Sequence, residues 1–145
     1  MKVKKISGIK DIKKVVELFI KVFSEAPYNE TWTEKKVIKN LSVYYKDAKD
    51  FCIYVEEKGV VIGIAFGATK TWYNGEHLYI DQVAVHPEYR SKGVGTKMFE
   101  YIEKKAKQKK IIQINIVTHK SAKANNFWKK QGFKIDNYYC MKKEL

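Results

Sequence analysis

The sequence predicts a mixed α/β domain, a central sheet of parallel and antiparallel strands flanked by helices, in the order β-α-α-β-β-β-α-β-α-β with room for one further strand. Three observations lead there. Apolar residues recur at helical spacing in the stretches around 11–23, 31–45 and 94–109. They crowd or alternate, rich in β-branched and aromatic types, in 51–72 and 77–85, and alternate again through Ile112, Ile114 and Ile116. The last strand follows its predecessor across a helix, a crossover that makes that pair parallel, whereas the strands within 51–72 share a tight turn and run antiparallel.

Each element has a local cause. Residues 1–7 alternate weakly around Val3 and Ile6 and predict a first edge strand. From Asp11, placed as a cap, Ile12, Val15, Val16, Phe19, Val22 and Phe23 share one helical face, and Pro27 closes the region. Thr31 with Glu34 has the form of a capping box for a second helix, whose apolar face runs through Val37, Ile38, Leu41, Tyr44 and Tyr45. FCIYVEEKGVVIGIAFGATKTW gives two strands turned at Glu57-Lys58-Gly59, and the loop Tyr73-Asn74-Gly75 leads into HLYIDQVAV. Val94, Met98, Ile102 and Ala106 mark a helix to about Lys109. Ala122–Gln131 is a short helix ended by Gly132, and FKIDNYYCMKKEL supplies one or two closing strands. No repeat, low-complexity linker or break in composition interrupts the chain, so residues 1–145 are expected to form a single domain.

Composition narrows the function classes. The 145 residues are 45% hydrophobic, enough for a packed core. Uncharged apolar runs such as Val60–Thr69 are too short to span a bilayer, and MKVKKISGIK lacks the apolar core of a leader, so a cytoplasmic protein with no membrane partner is expected. Cys52 and Cys140 sit in strand-like runs and read as buried free thiols. His77, His86 and His119 are far apart and there is no CxxC, which gives no metal signature. Lys+Arg 29 against Asp+Glu 16 leaves a net charge of +13, a field that draws polyanions. Nucleic acid and a phosphorylated cofactor both qualify. The lysines are scattered, with no arginine-rich arm, which argues against nucleic acid as the main partner.

IDQVAVHPEYRSKGVGTK, residues 80–97, places two glycines in a basic turn between a strand and a helix. The first backbone N–H groups of a helix lack partners and carry partial positive charge, so an anion satisfies both. Gly93 and Gly95 let a phosphate approach the backbone, and Arg90 and Lys92 add charge. Neither a dinucleotide-binding GxGxxG nor a GxxxxGK[ST] phosphate loop is present. A plain turn in which the glycines ease strand-to-helix packing is the simpler alternative.

Val85-His86-Pro87-Glu88-Tyr89-Arg90-Ser91-Lys92-Gly93-Val94-Gly95 resembles the V-x-P-x-x-[RQ]-x-x-G-x-[GA] signature of the GNAT (Gcn5-related) N-acetyltransferases. Downstream, Ala124-Asn125-Asn126-Phe127-Trp128-Lys129-Lys130-Gln131-Gly132-Phe133 is similar to the family's A-x-x-F-Y-x-K-x-G-F segment, and the order of elements is also the family's. The resemblance covers roughly residues 76–135 in motif and the N-terminal half only in arrangement. It implies acetyl-CoA as cosubstrate, with its pyrophosphate on the amides of Ser91, Lys92, Gly93, Val94, Gly95 and Thr96 near Arg90. It also implies a splayed strand edge at Val83, Ala84 and Val85 for the pantetheine arm, with Asn125 and Trp128 bordering the cofactor.

The implied reaction is direct transfer of an acetyl group to a primary amine of a small molecule or peptide, which requires a proton acceptor and an N–H donor for the oxyanion. Asp81 and Glu76 are the candidate bases, with Glu30 behind them. Asp81 shares strand parity with Val83 and Val85, so the three are expected on one face. The family often places a tyrosine acid where this chain has Trp128, which cannot supply a proton; Tyr138, or Tyr139, on a closing strand is the candidate substitute. Tyr28, Glu30, Trp32 and Trp72 form a candidate wall for a cationic amine. Three alternatives stay open here. Trp32 serves equally as a hydrophobic staple; the whole chain could be a silent acyl-CoA sensor; or it could be a basic nucleic-acid binder. Dimers are common in the family, so a homodimer is an expected option.

Overall fold

The computed structural model describes residues 1–145. The strands β1 (Lys2–Lys5), β2 (Cys52–Glu57), β3 (Val60–Trp72), β4 (Gly75–Val85) and β5 (Ile111–Ile116) form one sheet in that spatial order. The first three pairings are antiparallel and β4–β5 is parallel. The helices are α1 (Ile9–Phe23), α2 (Glu34–Ala48), α3 (Val94–Gln108) and α4 (Asn125–Lys130). Strand β2 is apolar at both parities because both of its faces are covered. Cys52 and Tyr54 meet α1 and α2 through Phe19, Val37 and Leu41. Ile53 and Val55 meet α3 and α4 through Met98, Phe99, Ile102 and Trp128. No helix is long and apolar enough to cross a membrane.

Several expected details differ. Gly8, not Asp11, stands at the N-cap of α1. Asp11 lies inside the first turn, where its carboxylate accepts from the Ser7 amide (2.9 Å) and the Lys14 ammonium (2.8 Å). In α2 the cap is Thr33, whose hydroxyl accepts from the Lys36 amide, so the Thr31–Glu34 box does not form. α4 is shorter than 122–131.

The largest correction concerns the closing strands: none forms. Gly132 (φ +91°) turns the chain, Phe133 still packs on Trp128, and beyond it Ile135, Tyr138, Tyr139 and Met141 are exposed. The alternation that predicted strands there is real, but a strand needs a neighbouring edge, and no strand of this chain takes it up. Cys140 is exposed with that segment. Cys52 is buried as expected, and burial pushes its thiol up to about 12, which leaves it inert.

Asp50, just after α2, ties three elements together. It accepts from Lys109 at the end of α3 and from Lys5 on β1, each at 2.7 Å. Those hydrogen bonds, Lys109 first, hold its carboxyl down at about 2. The depressed value means that the contribution is complete above the unfolded carboxylate range near 4 and is lost as pH falls toward 2. Asp50→Asn is therefore expected to lower stability at neutral pH, and the gap to the wild type should narrow as pH falls from about 4 to 2. Urea midpoints across that range would check this; a constant gap would refute it.

Candidate active site

Pairing between β4 and β5 ends at Ile80 opposite Ile116. β4 runs on to Val85, still bonded to β3 on its other side up to Gly63. The β5-facing edge of Val83, Ala84 and Val85 is thus free of strand partners. This edge leads through a single helical turn, Pro87–Tyr89, into the basic turn.

Two positive-φ residues, Ser91 (+61°) and Gly93 (+83°), shape that turn. The amides from Ser91 to Thr96 find no acceptor within the chain, and the first bond of α3 runs from the Lys97 amide to the Gly93 carbonyl at 3.0 Å. The two glycines have different causes. A Cβ on Gly93 would point into open space. A Cβ on Gly95 would sit 3.0 Å from the Phe127 ring, so Gly95 answers to packing against α4. Gly93 thus answers to its left-handed backbone conformation and Gly95 to packing against Phe127. The Arg90 guanidinium stands 3.9 Å from the Glu25 carboxylate, and the Lys92 ammonium lies over the Tyr89 ring.

Asp81 occupies a β-bulge. Phe66 pairs with Gln82 and Gly67 with Ile80, which leaves Asp81 as the extra residue. A bulge residue resets the side-chain alternation after it. Leu78, Ile80, Val83 and Val85 all pack in the α3 layer, whereas Asp81 turns to α2 and Ala84 packs in the α1–α2 layer. The expectation that Asp81, Val83 and Val85 share a face is corrected for that reason.

The Asp81 carboxylate accepts a hydrogen bond from the Tyr44 hydroxyl at 3.1 Å. Burial pushes the Tyr44 phenol up to about 12, and the nearby Asp81 charge adds to this, so Tyr44 stays a donor. The two line an open groove of about 500 Å³ with Asn40, Asp47 and Lys70. Asp47 accepts from the Thr69 amide (2.8 Å), and the Lys70 ammonium lies over the Tyr79 ring. The Asn40 carbonyl oxygen is buried without a hydrogen-bond partner. Asn40, Tyr44 and Asp47 were missed from sequence. Their i, i+4, i+7 spacing on α2 was the available signal, a polar stripe beside the apolar one.

The other candidates divide. Tyr28 packs edge-on to Phe23, Trp32 edge-on to Phe19, and the Trp32 indole donates to Glu30 at 3.2 Å. Burial pushes the Tyr28 phenol up, opposed by the Arg90 charge, which places this loop beside the basic turn. Trp72 and Glu76 lie elsewhere: Trp72 pairs with Gly75, and Glu76 accepts from Thr71. They occupy the hairpin end of β3 and β4, about 23 Å or more from Val83 at ~3.3 Å per residue. Asn125 uses both ends of its amide to hold the loop after β5, bonding Thr118 and the carbonyls of His119 and Lys120. Tyr138 is exposed and outside any element.

Trp128 is buried among Phe99, Phe127 and Phe133. Its indole therefore works as core. Trp128→Ala is expected to cost about 3–5 kcal/mol of stability, read by urea unfolding, as for other large buried aromatics. A cost below about 1 kcal/mol would contradict that placement.

A family model described as acetyltransferase (GNAT) family matches residues 13–133. Solved structures share the fold at low identity. One, described as a possible acetyltransferase from Clostridium difficile, is 15% identical with a TM-score of 0.79, covering 99% of this chain and 97% of that one. An aminoglycoside antibiotic 6'-N-acetyltransferase from Acinetobacter haemolyticus is 17% identical (TM-score 0.78; 100% and 99% covered). A ribosomal-protein-alanine N-acetyltransferase from Brucella melitensis biovar Abortus is 11% identical (TM-score 0.77; 100% of both chains). No curated protein matches the sequence.

Proposed function

The chain belongs to the acetyltransferase (GNAT) family, and on that premise we propose that it transfers an acetyl group from acetyl-CoA to a primary amine of a small molecule or peptide. One observation carries the reading: the partner-free edge of β4 leads, through one helical turn, into six consecutive unpaired amides at the N-terminus of a long helix. Those donors fit a ligand that is amide-bearing at one end and polyanionic at the other.

Acetyl-CoA supplies an acetyl group already activated as a thioester. The chain's own residues do the rest. The amides of Ser91 to Thr96 hold the pyrophosphate, Arg90 and Lys92 add charge, and the net +13 favours its arrival. The free edge at Val83, Ala84 and Val85 aligns the pantetheine arm, and an amide of that edge faces the developing oxyanion. Asp81, held by Tyr44 at the rim of the groove, accepts the proton that the incoming ammonium must lose. The two named neighbours act on an aminoglycoside and on a ribosomal-protein alanine, which keeps both small-molecule and peptide amines in the proposal.

A second reading, a non-catalytic acyl-CoA sensor, draws on Trp128, a buried indole with no titratable proton where the family often has a tyrosine, and on Tyr138, which is exposed outside any element. Calorimetric titration with acetyl-CoA, dephospho-CoA and a short DNA duplex, followed by free-thiol release over an amine panel, separates the readings. Acetyl-CoA binding with turnover supports the transferase. Binding without turnover on any amine supports the sensor. Duplex binding that coenzyme A does not displace overturns both.

A further inference from the structure

The groove between α2 and β4 holds two carboxylates that no cation of this chain neutralises. Asp11 and Asp50 each hold a lysine ammonium, at 2.8 Å and 2.7 Å. Asp47 and Asp81 meet only neutral donors, the Thr69 amide and the Tyr44 hydroxyl. They do so in a chain whose Lys+Arg, 29, far outnumber its Asp+Glu, 16. Lys70 lines the same groove, yet its ammonium lies 4.5 Å from the centre of the Tyr79 ring and on neither carboxylate. Asn40, one turn before Tyr44 on α2, adds a side-chain oxygen that is buried without a donor. That oxygen and the second oxygen of each aspartate are acceptors left open in the groove. The complement is a ligand with N–H donors and positive charge at more than one point.

The strands set the spacing. Asp47 bonds at Thr69, and Asp81 sits in the bulge opposite Phe66 and Gly67. Roughly two to three strand residues separate those points, about 7–10 Å at ~3.3 Å per residue. One ammonium cannot reach both carboxylates at hydrogen-bond length, but a short alkyl chain with an amine at each end can. We propose, resting on Asp81 as the proton acceptor of the proposed transferase, that Asp47 sets its acceptor specificity: the groove takes a small amine bearing a second ammonium, which docks on Asp47 while the reacting nitrogen sits at Asp81. After giving one proton to Asp81 the reacting nitrogen keeps two N–H bonds. The Asn40 oxygen accepts one of them and so orients the lone pair. The distal ammonium is held alike before and during the reaction, so it acts on KM and not on kcat.

Diaminobutane and butylamine share a carbon skeleton and differ in the second amine. With acetyl-CoA saturating, KM for diaminobutane is expected to lie about tenfold below that for butylamine, the worth of one charge-assisted hydrogen bond, with similar kcat. Asp47→Asn keeps a carbonyl for the Thr69 amide and removes the charge, so it should erase that difference through KM. Equal KM values in the wild type overturn the proposal and leave the transferase standing. A difference that survives in Asp47→Asn overturns it too. If neither amine is turned over, calorimetry on the coenzyme A complex reads the groove directly. Diaminobutane binding that Asp47→Asn weakens about tenfold then upholds the assignment of Asp47 although the transferase has failed on these amines. No diaminobutane binding overturns it.

Discussion

Replacing Gly93 by valine is expected to abolish acetyl-CoA binding and leave the fold standing. Gly93 holds φ at +83°, where a β-branched residue is strained by about 1–2 kcal/mol. That is tolerable for a domain of ordinary stability. The effect on binding should be larger for two reasons. The new side chain would project into the open space that the six free amides border, since nothing lies within 4 Å of a Cβ there. Relief of the strain would also rotate the amides on either side. Losing two or three charge-assisted hydrogen bonds, at about 1.5–3 kcal/mol each, predicts at least a ~100-fold loss of affinity. Calorimetry reads the affinity and circular dichroism the fold. Retained affinity would end the cradle reading. Arg90→Ala is the useful contrast. It removes one charge whose guanidinium is half exposed and already near Glu25, so about a tenfold loss is expected.

Asp81→Asn should leave acetyl-CoA affinity alone and cut turnover by roughly 10²–10⁴, the range of a lost general base. The diagnostic is pH. A base is needed because the amine arrives protonated. As pH rises toward the amine's own pKa, more of it arrives free and the defect should shrink. A deficit that stays constant with pH would make Asp81 a structural partner of Tyr44 and nothing more. Tyr44→Phe removes the 3.1 Å hydrogen bond but keeps the carboxylate, so a smaller loss with the same pH trend is expected.

Much of this was legible in the sequence because it rests on local patterns. The helices, the hairpin of β2 and β3, the crossover and the glycine turn are each written within a few turns or residues, and each formed. The failures share a cause in non-local geometry. The bulge at Asp81 adds one residue to β4 relative to β3, and periodicity within β4 cannot reveal a count against its neighbour. Glu76 and Trp72 look close to the site in sequence, but an extended strand carries them far from it. Asn40, Tyr44 and Asp47 reach the site only because α2 lies over the bulge, and on the sequence they match any solvated stripe. The segment 133–145 has the right alternation for a strand, but nothing in its own residues says which edge takes it.

The bulge has a kinetic consequence. By turning Asp81 toward α2, it places the proposed acceptor groove on the α2 side of β4, apart from the backbone edge and the glycine turn proposed for the cosubstrate. Neither has to depart before the other arrives, and no residue has to store the acetyl group in between. Such an enzyme works through a ternary complex, so its double-reciprocal rate plots should intersect rather than run parallel. Variants of the α2 side and of the glycine turn should then weaken the two bound partners independently, with additive free energies. The acceptor side could therefore be remodelled for a new amine without loss of hold on the donor.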